Sequence, residues 1–471
     1  MNYLIIIYCI LFFILNRLNI KSGVLLLIFM LPTYLIRFKI LGIPFTLLEI
    51  SILIVFLNWL FNNRKNLFNN LLKKRKEKEN RQAYPFGWEI ILILTIAFIS
   101  IFVGGTTSSA LGIFKAYFLE PTLLFILILN NFKNEKDIKK IIFMLALSSV
   151  MVSLMAIWQK ITGQFIANDF WAQTETRRVV SFYGYPNAVA LFIGPIIPLM
   201  FNEIISDFKN KIKIKTILYK LFMLFSTVSG ILAIYFAKSK GALLALLLVL
   251  LLIIFIKLKT KLKLIVLSLL VIITPIIIYW QRDTINLKLS SSLSWQIRQL
   301  QWKETMEMLK DGNFFQGSGL ANYQNKIKPY HQEGFFFNKD ADPKFRLKVV
   351  FGEDQNYRDE RWQPLEIYLY PHNIFLNFWT EIGLIGALLF SYIIIKFMII
   401  SLNFYRKEKN KRNKNLSLAL FLSMLVIIIH GLVDVPYFKN DLSILFWIII
   451  SLLAIMIISK KYNLYDKNKF D

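Results

Sequence analysis

Apolar runs near the length that crosses a bilayer, about 20 residues, recur from one end of this 471-residue chain to the other. They fall near 3–16, 22–38, 43–61, 88–104, 112–130, 141–159, 186–204, 217–236, 241–257, 264–280, 373–400, 416–433 and 442–459. At bilayer depth only helices and closed barrels satisfy their own backbone, and these runs lack the period-two alternation of a barrel. The expectation is an all-α, polytopic integral membrane protein with about 12–13 transmembrane helices. It divides into a helical region 1–280, a large extracytoplasmic loop 281–370, and a region 371–471 holding three spans and a cytoplasmic tail.

The formal net charge of +27 raises the question of nucleic acid, and its distribution answers it. Basic residues cluster in short connections, from Arg64 to Arg81, Lys133 to Lys140, Lys209 to Lys220, Lys257 to Lys263, Arg406 to Lys414 and Lys460 to Lys469. Alternating topology puts all six on one face. Residues 281–370 instead hold thirteen Lys/Arg against twelve Asp/Glu, a net of +1. This is the positive-inside pattern, which makes the clusters and the C-terminus cytoplasmic and the long loop external. The charge excess is thereby explained without nucleic acid. Which side holds the N-terminus depends on whether the first two runs both cross.

The single cysteine, Cys9, lies in the first apolar run, so the loop must fold without a disulfide. The first fifteen residues lack a basic start and a small-residue cleavage site and read as a retained span. Within the loop, Trp295, Arg298, Trp302, Met306 and Leu309 recur at helical spacing, with Ser294 placed to cap the helix and Asp311-Gly312 to stop it.

Polar groups gather where external connections meet the spans. Arg177 and Arg178 precede Gly184-Tyr185-Pro186-Asn187, and Lys238-Ser239-Lys240-Gly241 separates two spans. Cations on this face run against the positive-inside trend, and a phosphate partner would account for them; interfacial snorkelling or a plain turn is the bland alternative. Arg298 lies one turn before Trp302, where a surface cation–π pair is equally open. His372, one of three histidines, sits with Asn373 at the mouth of a span, below the loop. Glu381 lies two turns inside that span, where a carboxylate is costly unless paired or facing a cavity. His430 and Asp434 are four residues apart at the outer end of the next span and could bond each other. Several outward cations around one histidine suit group transfer from a lipid diphosphate, since phosphates need cations and a hydroxyl nucleophile needs a base.

In order along the chain, Arg178-Val-Val-Ser-Phe-Tyr-Gly-Tyr-Pro-Asn187, Ser239-Lys-Gly-Ala242, Arg298 with Trp302, Gly317-Ser-Gly-Leu320, Pro371-His-Asn-Ile-Phe-Leu376, Glu381-Ile-Gly-Leu-Ile-Gly386 and His430-Gly-Leu-Val-Asp434 resemble the O-antigen ligase and O-antigen polymerase family of membrane glycosyltransferases. The resemblance covers about residues 175–440 and rests on the order of the pieces more than on any one. It implies an all-helical enzyme of the C type, with no cofactor and no essential metal. The donor would be a glycan on undecaprenyl diphosphate, attacked with inversion by an acceptor hydroxyl at the outer face of the cytoplasmic membrane. By the same resemblance His372 is the base or its orienting partner, with Glu381 beside it as a catalytic candidate. Arg178, Arg177, Asn187, Lys240, Arg298, Asn373 and Asp434 become substrate-binding candidates. Either Arg177 or Arg178 fits the family arginine. Lys240 stands where the family often has Arg, which keeps the charge and loses the bidentate fork.

The expected partners are the lipid-linked donor, membrane lipids and an acceptor that is a lipid core, another glycan repeat or a protein hydroxyl. The alternatives are an O-antigen-type polymerase and a flippase or transporter for lipid-linked glycan; a non-catalytic scaffold is a third. A flippase needs charge along a central path, whereas the ionisable residues here gather on the outer face and the cytoplasmic connections. The orientation is testable: cysteines introduced at positions 300 and 350 should react with an impermeant thiol reagent from outside, and those at 75 and 410 should not. The opposite pattern would invert the topology.

Overall fold

The computed structural model describes all residues except 1, 41, 74–84, 207–213, 266–267, 270–279, 282–291, 341 and 468–471. Among the described residues, nine helices are long and apolar enough to cross a membrane and three shorter apolar helices accompany them; strands are confined to two antiparallel pairs. The protein is an all-α polytopic membrane protein. The run expected at 264–280 lies mostly outside the described residues.

Helices α1 (Asn2–Leu18) and α2 (Ile20–Phe29) form a tight pair. The run expected at 22–38 does not stay helical. A 3-10 turn containing Pro32 follows α2, as expected where a ring removes a backbone donor, and β1 (Arg37–Ile40) then pairs with β2 (Ile43–Thr46). That hairpin leads into α3 (Leu47–Lys73). Arg17 at the end of α1 donates to Asn62 Oδ1 at 2.8 Å, and the first turns of α1 line a groove with Phe38, Lys39 and Ile40. Residue 2 therefore lies on the face of the hairpin, a point the sequence leaves open.

Next come α4 (Gly87–Val103), then α5 (Ser108–Phe114) and α6 (Glu120–Asn131) joined through a π turn, and α7 (Glu135–Thr162). Asn134 caps α7 by accepting from the Asp137 amide, and Gly163 ends it at φ +74°, the left-handed closure glycine allows. A 3-10 turn joins α8 (Pro186–Ile193) to α9 (Ile197–Ile205), and α10 (Ile214–Phe236) and α11 (Lys240–Lys257) follow. The outer loop contributes α12 (Leu293–Lys310), and α13 (Ile374–Lys407), α14 (Lys411–Gly431) and α15 (Asn440–Lys467) complete the set. The most apolar stretch of α15 and the α8–α9 span are each 83% buried, against 17% for α11. The former pair forms the centre of the bundle and α11 its rim. Further along the loop, β3 (Gly334–Phe336) pairs with β4 (Trp362–Pro364). Ser292, not Ser294, occupies the N-cap position of α12. Ser294 is inside the helix, where its backbone oxygen accepts from Arg298 at 3.0 Å.

The expected span 373–400 is one helix in sequence and two in space. Ile382 (φ −127°, ψ 18°) and Gly383 (φ 74°, ψ 174°) break α13. A break at membrane depth frees backbone groups that have no water to turn to. The loop segment 314–321 supplies their partners. Ser318 donates to the Thr380 carbonyl through its amide (2.7 Å) and its hydroxyl (2.8 Å). Leu384 N–H reaches the Phe315 carbonyl at 3.0 Å, Trp379 Nε1 the Phe314 carbonyl at 2.6 Å, and the Ala321 amide Glu381 Oε2 at 2.8 Å. The approach is closest at glycines: a Cβ on Gly317 would lie 2.4 Å from the Trp379 and Thr380 carbonyl oxygens, and one on Gly383 2.4 Å from that of Phe315. The plug also touches α4, where Leu320 N–H reaches Ser100 O at 3.2 Å.

Gly383→Ala should therefore cost about 1–3 kcal/mol or more, through both a left-handed φ and a clash with backbone. Gly112→Ala, in α5 with open space around it, should be neutral or slightly stabilising. Thermal unfolding of the two variants in detergent checks this; equal melting would mean that the plug does not need the glycine.

Candidate functional site

Three connecting segments meet at one end of the bundle: the stretch before α8, the junction between loop and α13, and the connection from α14 to α15. The first is fixed to the end of α10. Arg178 N–H binds Trp171 O at 3.1 Å, Val179 N–H binds Phe236 O at 3.3 Å, and Arg178 Nε donates to Ala237 O at 3.1 Å. A guanidinium suits those last carbonyls, which carry the negative end of the helix dipole. Arg178 Nη2 then reaches Asn187 Oδ1 at 3.4 Å, and Asn187 Nδ2 donates to Asp434 Oδ2 at 2.8 Å.

Asp434 is the hub. Its Oδ1 accepts from the Val435 amide at 2.9 Å and lies 3.7 Å from His372 Nδ1, a charge-to-charge distance rather than a hydrogen bond. Because α14 ends at Gly431, Asp434 leaves the helical face that carries His430, and its carboxylate goes to Asn187 and Val435 instead. Burial alone would push the Asp434 carboxyl up; the imidazoles of His372 and His430 and the Val435 amide outweigh it and hold the group below the ordinary carboxylate range.

His372 occupies a strained backbone position, φ +43°, costly for a residue with a Cβ and maintained only where its surroundings fix it. On one side Trp302 Nε1 donates to the Pro371 carbonyl at 2.9 Å. On the other, Asn373 caps α13 by accepting from the Phe375 and Leu376 amides and donates through Nδ2 to Leu432 O at 3.1 Å. The Tyr368 ring stands edge-on to the imidazole, centroids 5.2 Å apart. The histidine side chain is 28% exposed, so one nitrogen faces the aspartate and the ring remains reachable from outside.

Arg298 arrives from α12. Its Nε donates to Val433 O at 2.7 Å, which ties the loop helix to the residue next to Asp434. The Trp302 ring packs on Trp295, 5.6 Å between centroids. Burial, and then the neighbouring charge of Arg298, draw the Arg178 guanidinium below its ordinary value. Arg178 and Arg298 thus each reach the Asp434 connection, Arg178 through Asn187 and Arg298 through Val433 O, and a guanidinium is the side chain whose fork matches a phosphate.

The remaining sequence candidates are distributed differently. Arg177 turns away and donates to backbone on both sides of Gly163, to Lys160 O in the last turn of α7 at 3.0 Å and to Ala172 O in the stretch that follows at 3.1 Å, packing over Gly163. Lys240 is the first residue of α11 and exposed; its neighbour Gly241 is close-packed against His430 and Val433, 3.1 Å and 2.9 Å from where its Cβ would be. Glu381 is buried with the Ala321 amide in the α13 break, and among the described residues no contact joins it to His372. Also among the described residues, no group of three His, Cys, Asp or Glu is arranged to hold a metal ion. Sequence reasoning missed Lys439 and Asp441, a buried ion pair just past Asp434. A charged pair two residues apart at the entrance to an apolar span was its available signal.

The carboxyl shift has a sign that can be checked. A carboxylate held below its unfolded value, about 3.9, contributes stability that is present above that pH and lost as pH falls through the folded value. Wild type should therefore melt above Asp434→Asn at pH 6, and the gap should narrow below about pH 4. A gap constant down to pH 3 would contradict this.

Residues 225–346 match the family model described as O-antigen ligase. No curated protein matches the chain. The matched stretch includes Lys240, Arg298 and the Gly317-Ser-Gly-Leu320 plug, while Arg178, His372 and Asp434 join them through the geometry above. Over residues 225–346 the chain is thus similar to the O-antigen ligase family, and that stretch is set in a multi-pass helical membrane protein.

Proposed function

We propose that the protein transfers a glycan from an undecaprenyl-diphosphate donor to an acceptor hydroxyl, as an O-antigen ligase-type glycosyltransferase acting at the outer face of the cytoplasmic membrane. The observation that carries this reading is the pairing of His372 with Asp434 (3.7 Å) between two guanidiniums, Arg178 and Arg298. Asp434 sits on the Nδ1 side of the ring, which leaves Nε2 for the acceptor. As the acceptor oxygen bonds to the anomeric carbon, its proton passes to Nε2, and the bond from that carbon to the diphosphate oxygen breaks with inversion. Asp434 stabilises the imidazolium that forms, and Arg178 and Arg298 take up the charge that develops on the leaving diphosphate.

Each residue has one task in this scheme. Asn187 holds Arg178 and Asp434 in register. Asn373 orients the start of α13 below His372. Lys240, at the rim, offers a further cation to the donor's phosphates. Arg177 supports the segment from behind. Glu381 acts at a distance, by holding the plug on which the loop depends. The positive-inside charge pattern supports a site on the outer face, where a lipid-borne donor and a water-borne or lipid-borne acceptor can both reach it. Aromatic loop residues such as Tyr368 and Trp362 offer faces on which sugar rings stack.

The test is transfer by purified protein in detergent, with an undecaprenyl-diphosphate oligosaccharide and three acceptors: lipid A core, the same oligosaccharide, and a serine-rich peptide. His372→Ala should lose about 10²–10⁴-fold in rate, the usual weight of a positioned base. Arg178→Ala should fall with it, whereas Arg177→Lys should retain most activity. Transfer to the oligosaccharide alone would make the enzyme a polymerase. Undiminished transfer by folded His372→Ala would remove that residue from the chemistry, and no transfer to any acceptor would favour the flippase reading.

A further inference from the structure

Behind the His372–Asp434 pair lies a second charged pair that the scheme above does not use. Lys439 Nζ is 3.6 Å from Asp441 Oδ1, with the aspartate fully buried. Among the described residues, the Lys439 ammonium, both carboxylate oxygens of Asp441 and the Tyr183 hydroxyl are buried without a hydrogen bond of ordinary length and angle. The ammonium stands instead among three tyrosine rings, 3.9 Å from the centroid of Tyr183, 5.5 Å from Tyr34 and 5.8 Å from Tyr185. Burial draws the lysine below its ordinary value, and the Asp441 and Asp434 charges act against that.

The rings come from different parts of the chain. Tyr183 and Tyr185 belong to the segment that carries Arg178 and Asn187, and Tyr34 to the turn before the β1–β2 hairpin. Lys439 ends the connection that carries Asp434. The Asn187–Asp434 hydrogen bond joins the same two segments, and one such contact is a modest restraint by itself. A desolvated cation over aromatic faces adds a second, independent attraction.

We propose that Lys439 is a positioning residue: its ammonium, caged by Tyr34, Tyr183 and Tyr185 and balanced by Asp441, clamps the 432–439 connection to the 178–187 segment and so holds Asp434 in register with His372. The clamp acts through placement of Asp434 and touches neither donor nor acceptor. Its effect on catalysis rests on the transfer reaction proposed above, whereas its effect on the connection does not.

The test separates placement from charge balance. Lys439→Met alone leaves a buried, uncompensated aspartate and is expected to fold poorly. Lys439→Met/Asp441→Asn removes both charges at nearly constant volume. In that double variant kcat should fall about 10–100-fold, the scale of a small misplacement, with KM for the undecaprenyl-diphosphate donor little changed. Lys439→Arg should recover much of the loss. Tyr34→Leu, which removes one wall and keeps the ion pair, should shift kcat in the same direction and by less. Hydrogen exchange, which needs no activity, should show faster exchange of amides 432–438 in the double variant and in Tyr34→Leu. Wild-type kcat in the double variant, or a change in KM alone, overturns the proposal. Unaltered exchange at 432–438 overturns it too, including where wild type transfers nothing and the functional reading itself has failed.

Discussion

The arrangement depends on one exchange of backbone hydrogen bonds, between the break in α13 at Gly383 and the loop segment 314–321. A broken helix inside a bilayer leaves donors and acceptors whose only recourse is other protein. Here the recourse is a turn of the external loop, held by the Ser318–Thr380 and Leu384–Phe315 bonds and by the Glu381 carboxylate on the Ala321 amide. The contact works in both directions. It satisfies the membrane helix, and it anchors the loop whose helix α12 carries Arg298 and Trp302 to the junction at His372.

Architecture was legible where it follows from solvent. Apolar runs of bilayer length dictated helices, and the described residues carry nine of them long and apolar enough to cross a membrane. The failures were local and have local reasons. Pro32 and the β1–β2 hairpin interrupt a run that hydropathy alone reads as one span, because hydropathy counts side chains and ignores the missing donor of proline. Ser294 had the composition of a cap, but the helix begins earlier and Ser292 takes that position. Gly317, Gly319 and Gly383 were visible as glycines. That they face backbone across more than sixty residues of chain is a fact of packing that no local pattern carries.

The site divides in the same way. His372, Arg178, Arg298, Asn187 and Asp434 are far apart in sequence, and a family resemblance grouped them before geometry did. The two adjacent arginines differ only in direction. Arg178 continues an extended stretch bound to the end of α10 and turns toward Asn187, while Arg177 points back at the carbonyls that close α7. Neighbours on an extended chain point to opposite sides, so one faces the site and the other supports it. Lys439 and Asp441 stayed hidden because their significance lies in three tyrosines, and one of those, Tyr34, comes from the opposite end of the chain.

The plug and its socket also have an order in time. Ser318 and Thr380 are separated by 62 positions, and the chain is made from its N-terminus. The glycine-rich turn is therefore synthesised before the helix that receives it exists, and it must wait for that helix with some of its own backbone groups unpaired. When residues 374–407 follow, their upper part enters beside a loop already present, and the two incomplete backbones finish each other. Docking of the loop onto α13 is thus among the last events of assembly. A chain that stops short of residue 380 keeps the glycine turn and its contact with Ser100, and lacks the Thr380 and Leu384 backbone that completes the exchange.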